Sequence, residues 1–368
     1  MKNITSFYLV AIVILMVSAT GIGANAHDSN LVSKAGSETY SSEPYVAPTF
    51  LPLRIPALTP SSFDQYSGGF SFTAIDVGKG DALLLSWPDL YVGTHYMLID
   101  GGTADDWPFV HDYLVEHNIT GLDAIVCSHE HDDHLNGLIE LLKSNITVGT
   151  AYDAGFLVCH EDWPEYPKIQ EYLGLLEERN IPREIVGAGD ELWTANPAVT
   201  IRVINPDPQH LIISQSKNDA QNANSIALDV NYNGARFLLM GDTFPSSFQQ
   251  MMNEGYIQQA DVLKMPHHGF MPAAASVYDE FLATVRPKYA IDTCGCYRPD
   301  NESMWQCQIS PALRMAGLTT YRSACSGDIT ITTDGKTSAD GIHYAVTTTK
   351  NLTLRACSSE CESSCTAE

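Results

Sequence analysis

The chain has 368 residues, 44% of them hydrophobic, enough to bury a sizeable core without metals or disulfides to hold it together. Twenty basic side chains against forty-four acidic ones leave a formal charge of −24. A surface of that sign repels a phosphate backbone, which argues against long nucleic acid as a partner and leaves small molecules or short phosphodiesters.

At the N-terminus, Lys2 precedes the apolar run Phe7 to Val17, and Ala24-Asn25-Ala26 offers the small-x-small pattern that signal peptidases accept. The run falls short of the ~20 residues needed to cross a bilayer, so residues 1–26 are expected to be a cleaved signal peptide and the protein to be secreted. No later segment is apolar enough to span a membrane. Residues 27–66 are rich in Ser, Pro and Thr and read as a linker or an extended arm.

Short β-type runs follow at Phe70 to Val77, Ala82 to Ser86 and Tyr96 to Asp100, separated by Gly-Lys-Gly and Pro-Asp-Leu turn signals. A helical stretch from Trp107 to His117 leads to the apolar run Asp123 to Cys127. Leu135, Leu138, Ile139, Leu141 and Leu142 then recur at helical spacing, as do Ile169, Tyr172, Leu173, Leu175 and Leu176 before Ile181-Pro182. Val199 to Ile204, Ser225 to Tyr232 and Arg236 to Met240 read as strands, the last two joined by an Asn233-Gly234 hairpin turn. The remainder predicts a helix over Phe248 to Gln259, a strand at Asp261 to Met265, a helix near Val277 to Val285, a strand at Tyr289 to Asp292 and terminal strands from Ile329 to Thr349. Strands and then a helix, twice over, divide the chain into two halves without a tandem repeat.

An extracellular address lets disulfides persist. Of nine cysteines, Cys127 sits in an apolar run and reads as a buried free thiol, leaving the even set Cys159, Cys294, Cys296, Cys307, Cys325, Cys357, Cys361 and Cys365 for pairing in an unassigned pattern. Cys294 and Cys296 lack the matching second pair that a zinc site would use. Sequons at Asn118, Asn145, Asn301 and Asn351 fit surface glycosylation.

The chemistry concentrates in Ser128-His129-Glu130-His131-Asp132-Asp133-His134. With His267-His268, this segment holds five of the twelve histidines. Charged imidazoles packed so closely would repel, whereas neutral ones in a His-x-His-x-Asp-His pattern can converge on a divalent cation. A second cation would need a carboxylate able to reach both, and Asp242, at the end of an apolar strand, is the candidate. Alone, Gly241-Asp242-Thr243 would read as ordinary turn chemistry; its company decides otherwise. Adjacent histidines point in different directions, so one of His267 and His268 can ligate while the other handles a proton or the substrate.

The ordered set Ile75-Asp76-Val77-Gly78-Lys79-Gly80-Asp81-Ala82, Leu98-Ile99-Asp100-Gly101-Gly102, the histidine cluster, Asn224-Ser225, Leu239-Met240-Gly241-Asp242, His267-His268-Gly269, and Tyr321-Arg322 with Gly327-Asp328-Ile329 resembles the metallo-β-lactamase superfamily. Within it, the chain is most similar to the branch of ComEC competence-protein hydrolase domains and choline-binding phosphorylcholine esterases, over Phe70 to Asp334. The resemblance implies an α/β fold, a four-layer αββα sandwich forming one catalytic domain over residues 67–350, with residues 351–368 as a Cys-rich tail. It implies that His129 and His131 ligate a first metal, Asp133 and His134 a second, that Asp242 bridges them, and that His268 is a further second-site ligand. His267 would be the proton donor or substrate clamp, and His267 and Asp133 are the candidate catalytic residues. Asp100 would orient a ligand histidine, and the Asp76 to Asp81 loop would line the pocket edge.

Three departures bear on the substrate: Lys79 stands where the branch has Gln, Asn136 where it has Gly, and Phe270 where a small polar residue is usual. The third histidine of the first metal, expected between Leu142 and Asn224, has no clear counterpart, although His160 and His210 lie in that interval. Two zinc ions are the expected cofactor, with manganese or iron suited to the carboxylate-rich second site. The expected function is hydrolysis of a phosphodiester or phosphorylated small molecule by a metal-activated water. The same site would serve a lactone, lactam or thioester. A non-catalytic secreted metal-binding glycoprotein is the reading from a different class.

Overall fold

The computed structural model describes residues 69–350 other than 79, 92, 157–161, 215, 270–274, 295–317 and 339–340. The expected signal peptide, arm and Cys-rich tail lie outside the described residues, as do Lys79, His160, Phe270 and the sequons at Asn301 and Asn351.

The described residues open with β1 (Phe70–Ala74), buried along its whole length. Phe70, Phe72 and Ala74 alternate into one core while the Thr73 hydroxyl lies 3.0 Å from that of Thr330, as the two-residue period of a strand requires. Beyond Ala74 the pairing of β1 stops, short of the expected Val77, because the Asp76 amide is taken by the Asp328 carboxylate and Gly78 turns the chain at φ 72°. Then come β2 (Leu83–Pro88), β3 (Thr94–Ile99), α1 (Trp107–Glu116), β4 (Gly121–Cys127), α2 (Asp132–Lys143), β5 (Thr147–Asp153), α3 (Tyr166–Glu178) and β6 (Arg183–Ile185). β3, β4, β5 and β6 pair in parallel, each step crossed by one helix.

The second half comprises β7 (Glu191–Leu192), β8 (Val199–Asn205), α4 (Lys217–Ala223), β9 (Ala227–Tyr232), β10 (Ala235–Leu239), α5 (Pro245–Asn253), β11 (Val262–Lys264), α6 (Ala275–Val285), β12 (Tyr289–Asp292), β13 (Thr319–Arg322) and α7 (Ser323–Ser326). The β9–β10 hairpin turns through Asn233 and Gly234, both at positive φ, with Tyr232 opposite Ala235. The helix expected to run to Gln259 stops at Asn253. There Tyr256 N–H bonds to Met251 O and Gly255 N–H to Met252 O, a Schellman stop with Gly255 at φ 79°. Finally β14 (Ile329–Thr333), β15 (Thr337–Ser338), β16 (Gly341–Ile342) and β17 (Ala345–Thr348) close the described chain.

Among the described residues the strands form an eight-stranded sheet, β17-β14-β1-β2-β3-β4-β5-β6, and a seven-stranded one, β13-β12-β11-β10-β9-β8-β7; β15 and β16 pair separately. Phe72, Leu85, Trp87 and Met97 of the first sheet share one core with Ile201, Val203, Val230 and Phe237 of the second. The outer face of the first sheet packs Leu98 and Ile125 against Val110, Leu114, Leu138 and Leu142. That of the second packs Leu238 and Leu263 against Phe248, Met251, Phe281 and Leu282. Three apolar layers between four structural ones make the expected αββα sandwich. Each large aliphatic or aromatic side chain in them contributes roughly 1.5–3 kcal/mol of burial.

Candidate metal centre

The cluster begins where β4 ends, Asp242 follows the end of β10, and His267 and His268 follow β11, so all three segments leave the C-terminal ends of strands. Sites in α/β folds gather there because the connections, not the strands, are free to turn side chains toward one point. Two glycines permit the close approach. A Cβ on Gly137 would lie 1.7 Å from Gly101 O, and one on Gly80 would lie 2.2 Å from Asp133 O. At Gly137, one residue beyond Asn136, α2 presses on the loop that carries Asp100.

His129, Asp133, His134, Asp242 and His268 are all buried, while His131 and His267 are half-buried. Asp100 supports two of these imidazoles. Its carboxylate accepts from Ser128 N–H (2.7 Å), Ser128 Oγ (2.6 Å) and His134 Nδ1 (2.8 Å). Because Ser128 gives its only hydroxyl proton to Asp100, its oxygen accepts from His129 Nδ1 at 3.1 Å. The outer nitrogens of His129 and His134 thus carry protons, and both Nε2 atoms present lone pairs inward.

Asp81 does the same for His268. Thr293 Oγ1 donates to Asp81 Oδ1 at 2.5 Å, and His268 Nδ1 lies 3.0 Å from Thr293 Oγ1 and 3.2 Å from Asp81 Oδ1. The other Asp81 oxygen pairs with the ammonium of Lys264, which is fully buried and also donates to Gly241 O (3.1 Å). Asp81 therefore lies inside the site, in contrast to the pocket edge expected of its loop. Asp76, at the loop's other end, faces Lys350 at 2.7 Å.

His134 Nε2 and His268 Nε2 each lie 3.2 Å from Asp242 Oδ2, and 3.8 and 3.7 Å from the two oxygens of Asp133. Neither nitrogen has a hydrogen-bond partner among the described residues, nor has Asp242 Oδ1. Nitrogen and oxygen ligands at about 2.0–2.2 Å from a tetrahedral ion stand roughly 3.3 Å from one another, so these four side chains fit a divalent cation. On the other side of Asp242 Oδ2, His129 Nε2 lies at 3.9 Å and His131 Nδ1 lies 3.0 Å from His129 Nε2. Asp81 and Asp100 also fall within ligand reach. Their oxygens are occupied by the outer imidazole nitrogens, Thr293, Ser128 and Lys264, so we assign them to holding the ligands.

The electrostatics ask for positive charge. Burial pushes the His134 imidazole down, but Asp242 and Asp100 outweigh it and hold it well above the ordinary range. His268 is likewise lifted against burial, by Asp242 and Asp81, to about 9. Burial also opposes ionisation of Asp242, yet the surrounding histidines keep its carboxyl well below the ordinary value. His129 goes the other way, pushed well below by burial and then by its neighbours His134 and His131. The carboxylates around His134 and His268 thus favour positive charge at this point of the centre.

His267 and His268 both take left-handed backbone conformations, φ 47° and 56°, which non-glycine residues rarely adopt outside strained functional turns. The turn splays their rings. His268 points into the buried cluster, whereas His267 Nε2 stops 3.7 Å from Asp242 Oδ2 with its side chain 20% exposed, beside Asn222 Nδ2 (3.4 Å) and the Phe244 ring. Burial lowers its pKa to about 4, so it is a neutral imidazole at physiological pH.

His210 does not approach the cluster. Its side chain is 72% exposed and bound to Asp207 at 2.5 Å, in a surface group with Glu254. Among the described residues, the interval expected to hold a third histidine supplies two amides from α4, Gln221 against His131 Nε2 (2.9 Å) and Asn222 against His267. The sequence reading missed both, since a polar heptapeptide carries no apolar period; the Asn222 to Ser225 run was the available signal. Cys127 is free and buried as expected, its thiol pushed up by burial and then by Asp100 and Asp153.

The Beta-lactamase superfamily domain matches residues 95–305, more than half of the chain, and the chain belongs to that superfamily. The domain is by class a metal-dependent hydrolase. It is 27% identical over 236 residues to ComE operon protein 3 of Bacillus subtilis (strain 168), covering 60% of this chain but 28% of that protein's length. Among solved structures it is similar to a putative metal-dependent hydrolase from Parabacteroides distasonis (14% identity, TM-score 0.36, covering 70% of this chain and 98% of the other). Another is a metallo hydrolase from Ignicoccus hospitalis (16% identity, TM-score 0.37, covering 61% and 81%).

Proposed function

We propose that the domain hydrolyses a phosphodiester or a phosphorylated small molecule with two divalent metal ions, zinc by preference. The observation that carries the proposal is the convergence of the inward nitrogens of His129, His131, His134 and His268 with the carboxylates of Asp133 and Asp242. Such ions lower the pKa of bound water toward neutrality and stabilise charge developing on phosphoryl oxygens. The resemblance to phosphorylcholine esterases supports the phosphoryl class.

Asp133, His134, Asp242 and His268 hold one ion, and His129, His131 and Asp242 the other. Asp242 Oδ2 lies between the two sets. Asp100 and Asp81 keep protons on the outer imidazole nitrogens, so the inner ones stay available throughout turnover. His267, neutral and partly exposed beside Asp242, receives a proton or hydrogen-bonds a substrate oxygen.

The same proposal places the protein outside the cell, supported by the N-terminal pattern of Lys2, Phe7 to Val17 and Ala24-Asn25-Ala26. Asn118 and Asn145 are exposed, as glycosylation needs, and Cys325 is disulfide-bonded. Among the described residues no helix is long and apolar enough to cross a membrane.

The test is turnover of bis-p-nitrophenyl phosphate and of a chromogenic lactam by metal-loaded protein. Phosphodiester hydrolysis abolished by Asp242→Ala is expected. Hydrolysis of the lactam alone would move the substrate to an acyl compound, and a protein inert toward both would overturn the phosphoesterase reading.

A further inference from the structure

We propose that Gln221, held by Glu130, is a positioning residue that fixes the tautomer of His131 and so aims its Nδ1 into the metal centre. The inference rests on reading that centre as metal-holding.

Gln221 Nε2 lies 3.1 Å from Glu130 Oε1, and Gln221 Oε1 lies 2.9 Å from His131 Nε2. A carboxylate oxygen accepts, so the nitrogen end of the amide faces Glu130 and its oxygen end faces His131. An amide oxygen also only accepts, which places the imidazole proton on His131 Nε2 and leaves the lone pair on Nδ1. That atom sits 3.0 Å from His129 Nε2, whose own lone pair is directed inward by the Asp100, Ser128 and His129 series. Two lone pairs at that separation repel unless a cation or proton lies between them. The relay through Gln221 therefore creates an electrostatic demand that a metal ion meets.

The surroundings give the amide little freedom. Gln221 and Glu130 are 1% and 4% exposed, so neither can exchange its partner for water. α4 is tied down at its end: Ser247 Oγ and Asn205 Nδ2 donate to Ala223 O at 2.7 and 3.0 Å, and Asn224 Nδ2 donates to Ala220 O at 2.7 Å. His134 and His268 rest their outer nitrogens on a carboxylate and His129 reaches one through the Ser128 hydroxyl, whereas the carboxylate behind His131 acts through an amide. The amide comes from the interval in which a third histidine was expected, so among the described residues that interval contributes orientation to the centre.

Histidine tautomers in the metal-free protein are read directly by long-range proton–nitrogen NMR correlation, and zinc affinity by competition with a chromophoric chelator. Wild type is expected to show His131 protonated at Nε2. Gln221→Met, which keeps the volume and removes both hydrogen bonds, is expected to mix the tautomers. It should weaken one zinc equivalent about 10–100-fold while sparing the other. The exchange Glu130→Gln/Gln221→Glu keeps one carboxylate and one amide and still offers an acceptor to His131, so it restores both the tautomer and the affinity. A purely structural Gln221 would not show that rescue. An unchanged His131 tautomer in Gln221→Met overturns the proposal, and so does a folded exchange variant without rescue. If Gln221→Met does not fold, the exchange variant alone decides by the same criteria. Wild type with the Nε2–H tautomer but no zinc uptake would support the relay and contradict the metal reading.

Discussion

Each inward imidazole of the centre is controlled from behind, and the partners doing so were unequally visible in the sequence. The His-x-His-x-Asp-His pattern, Asp242 and His267-His268 stood out because several metal-ligand types close together rarely serve another purpose. Lys264 did not stand out, because an isolated lysine at a strand end reads as solvent-facing. It is fully buried against Asp81 and 3.9 Å from Asp242 Oδ1. Removing one member of a buried ion pair leaves the other charge uncompensated. Lys264→Met is therefore expected to cost about 3–5 kcal/mol in urea unfolding; a loss below about 1 kcal/mol would show that Asp81 finds other support. Asp100→Asn should keep the fold and lower zinc affinity about 10–100-fold, because the outer proton on His134 loses its carboxylate. Chelator competition measures it.

Elements built on apolar repetition were legible, and those built on polar anchoring were not. The β9–β10 hairpin follows from Asn233-Gly234, and α2 from its leucine spacing. α4 has no such spacing in Lys-Asn-Asp-Ala-Gln-Asn-Ala. It forms because the Ser216 side chain caps Asp219 N–H and because Asn205, Asn224 and Ser247 hold its carbonyls. The docking of α2 on the Asp100 loop depends equally on a feature with no periodicity, the Gly101–Gly137 contact. Gly137→Ala would force backbone apart by more than an ångström. It is expected to lower stability by about 1–3 kcal/mol and zinc affinity with it, since the loop bearing Asp100 must move away from His134. Unfolding and metal titration on the same variant check both, and wild-type values in both would show that the approach is not needed.

For the whole molecule, the four layers were expected from the resemblance, but the strand order was not. β14 and β17 come from the end of the described chain, yet they pair beside β1 in the first sheet, through contacts that local sequence does not encode. The charge balance of the centre also acts at this scale. His268 is raised to about 9 from an ordinary 6.5, so in the metal-free protein its contribution to stability is complete below pH 6.5 and is lost as pH rises through 9. Asp242 is depressed, so its contribution is present above about pH 4 and is lost as pH falls below that. Metal-free protein should therefore melt at its highest temperature between those limits and lose stability from pH 7 to 9. Metal-loaded protein should not show the alkaline loss, because the cation replaces the protons. Thermal unfolding of both forms across pH 4–9 checks this, and parallel profiles would contradict it.

The most direct test of the central claim is elemental analysis of the purified protein beside the Asp242→Ala variant. Two equivalents of a divalent metal in wild type, falling below one when the carboxylate between the two sets of histidines is removed, is the predicted result. A folded wild-type protein that binds no divalent metal, even after incubation with zinc, would contradict the account.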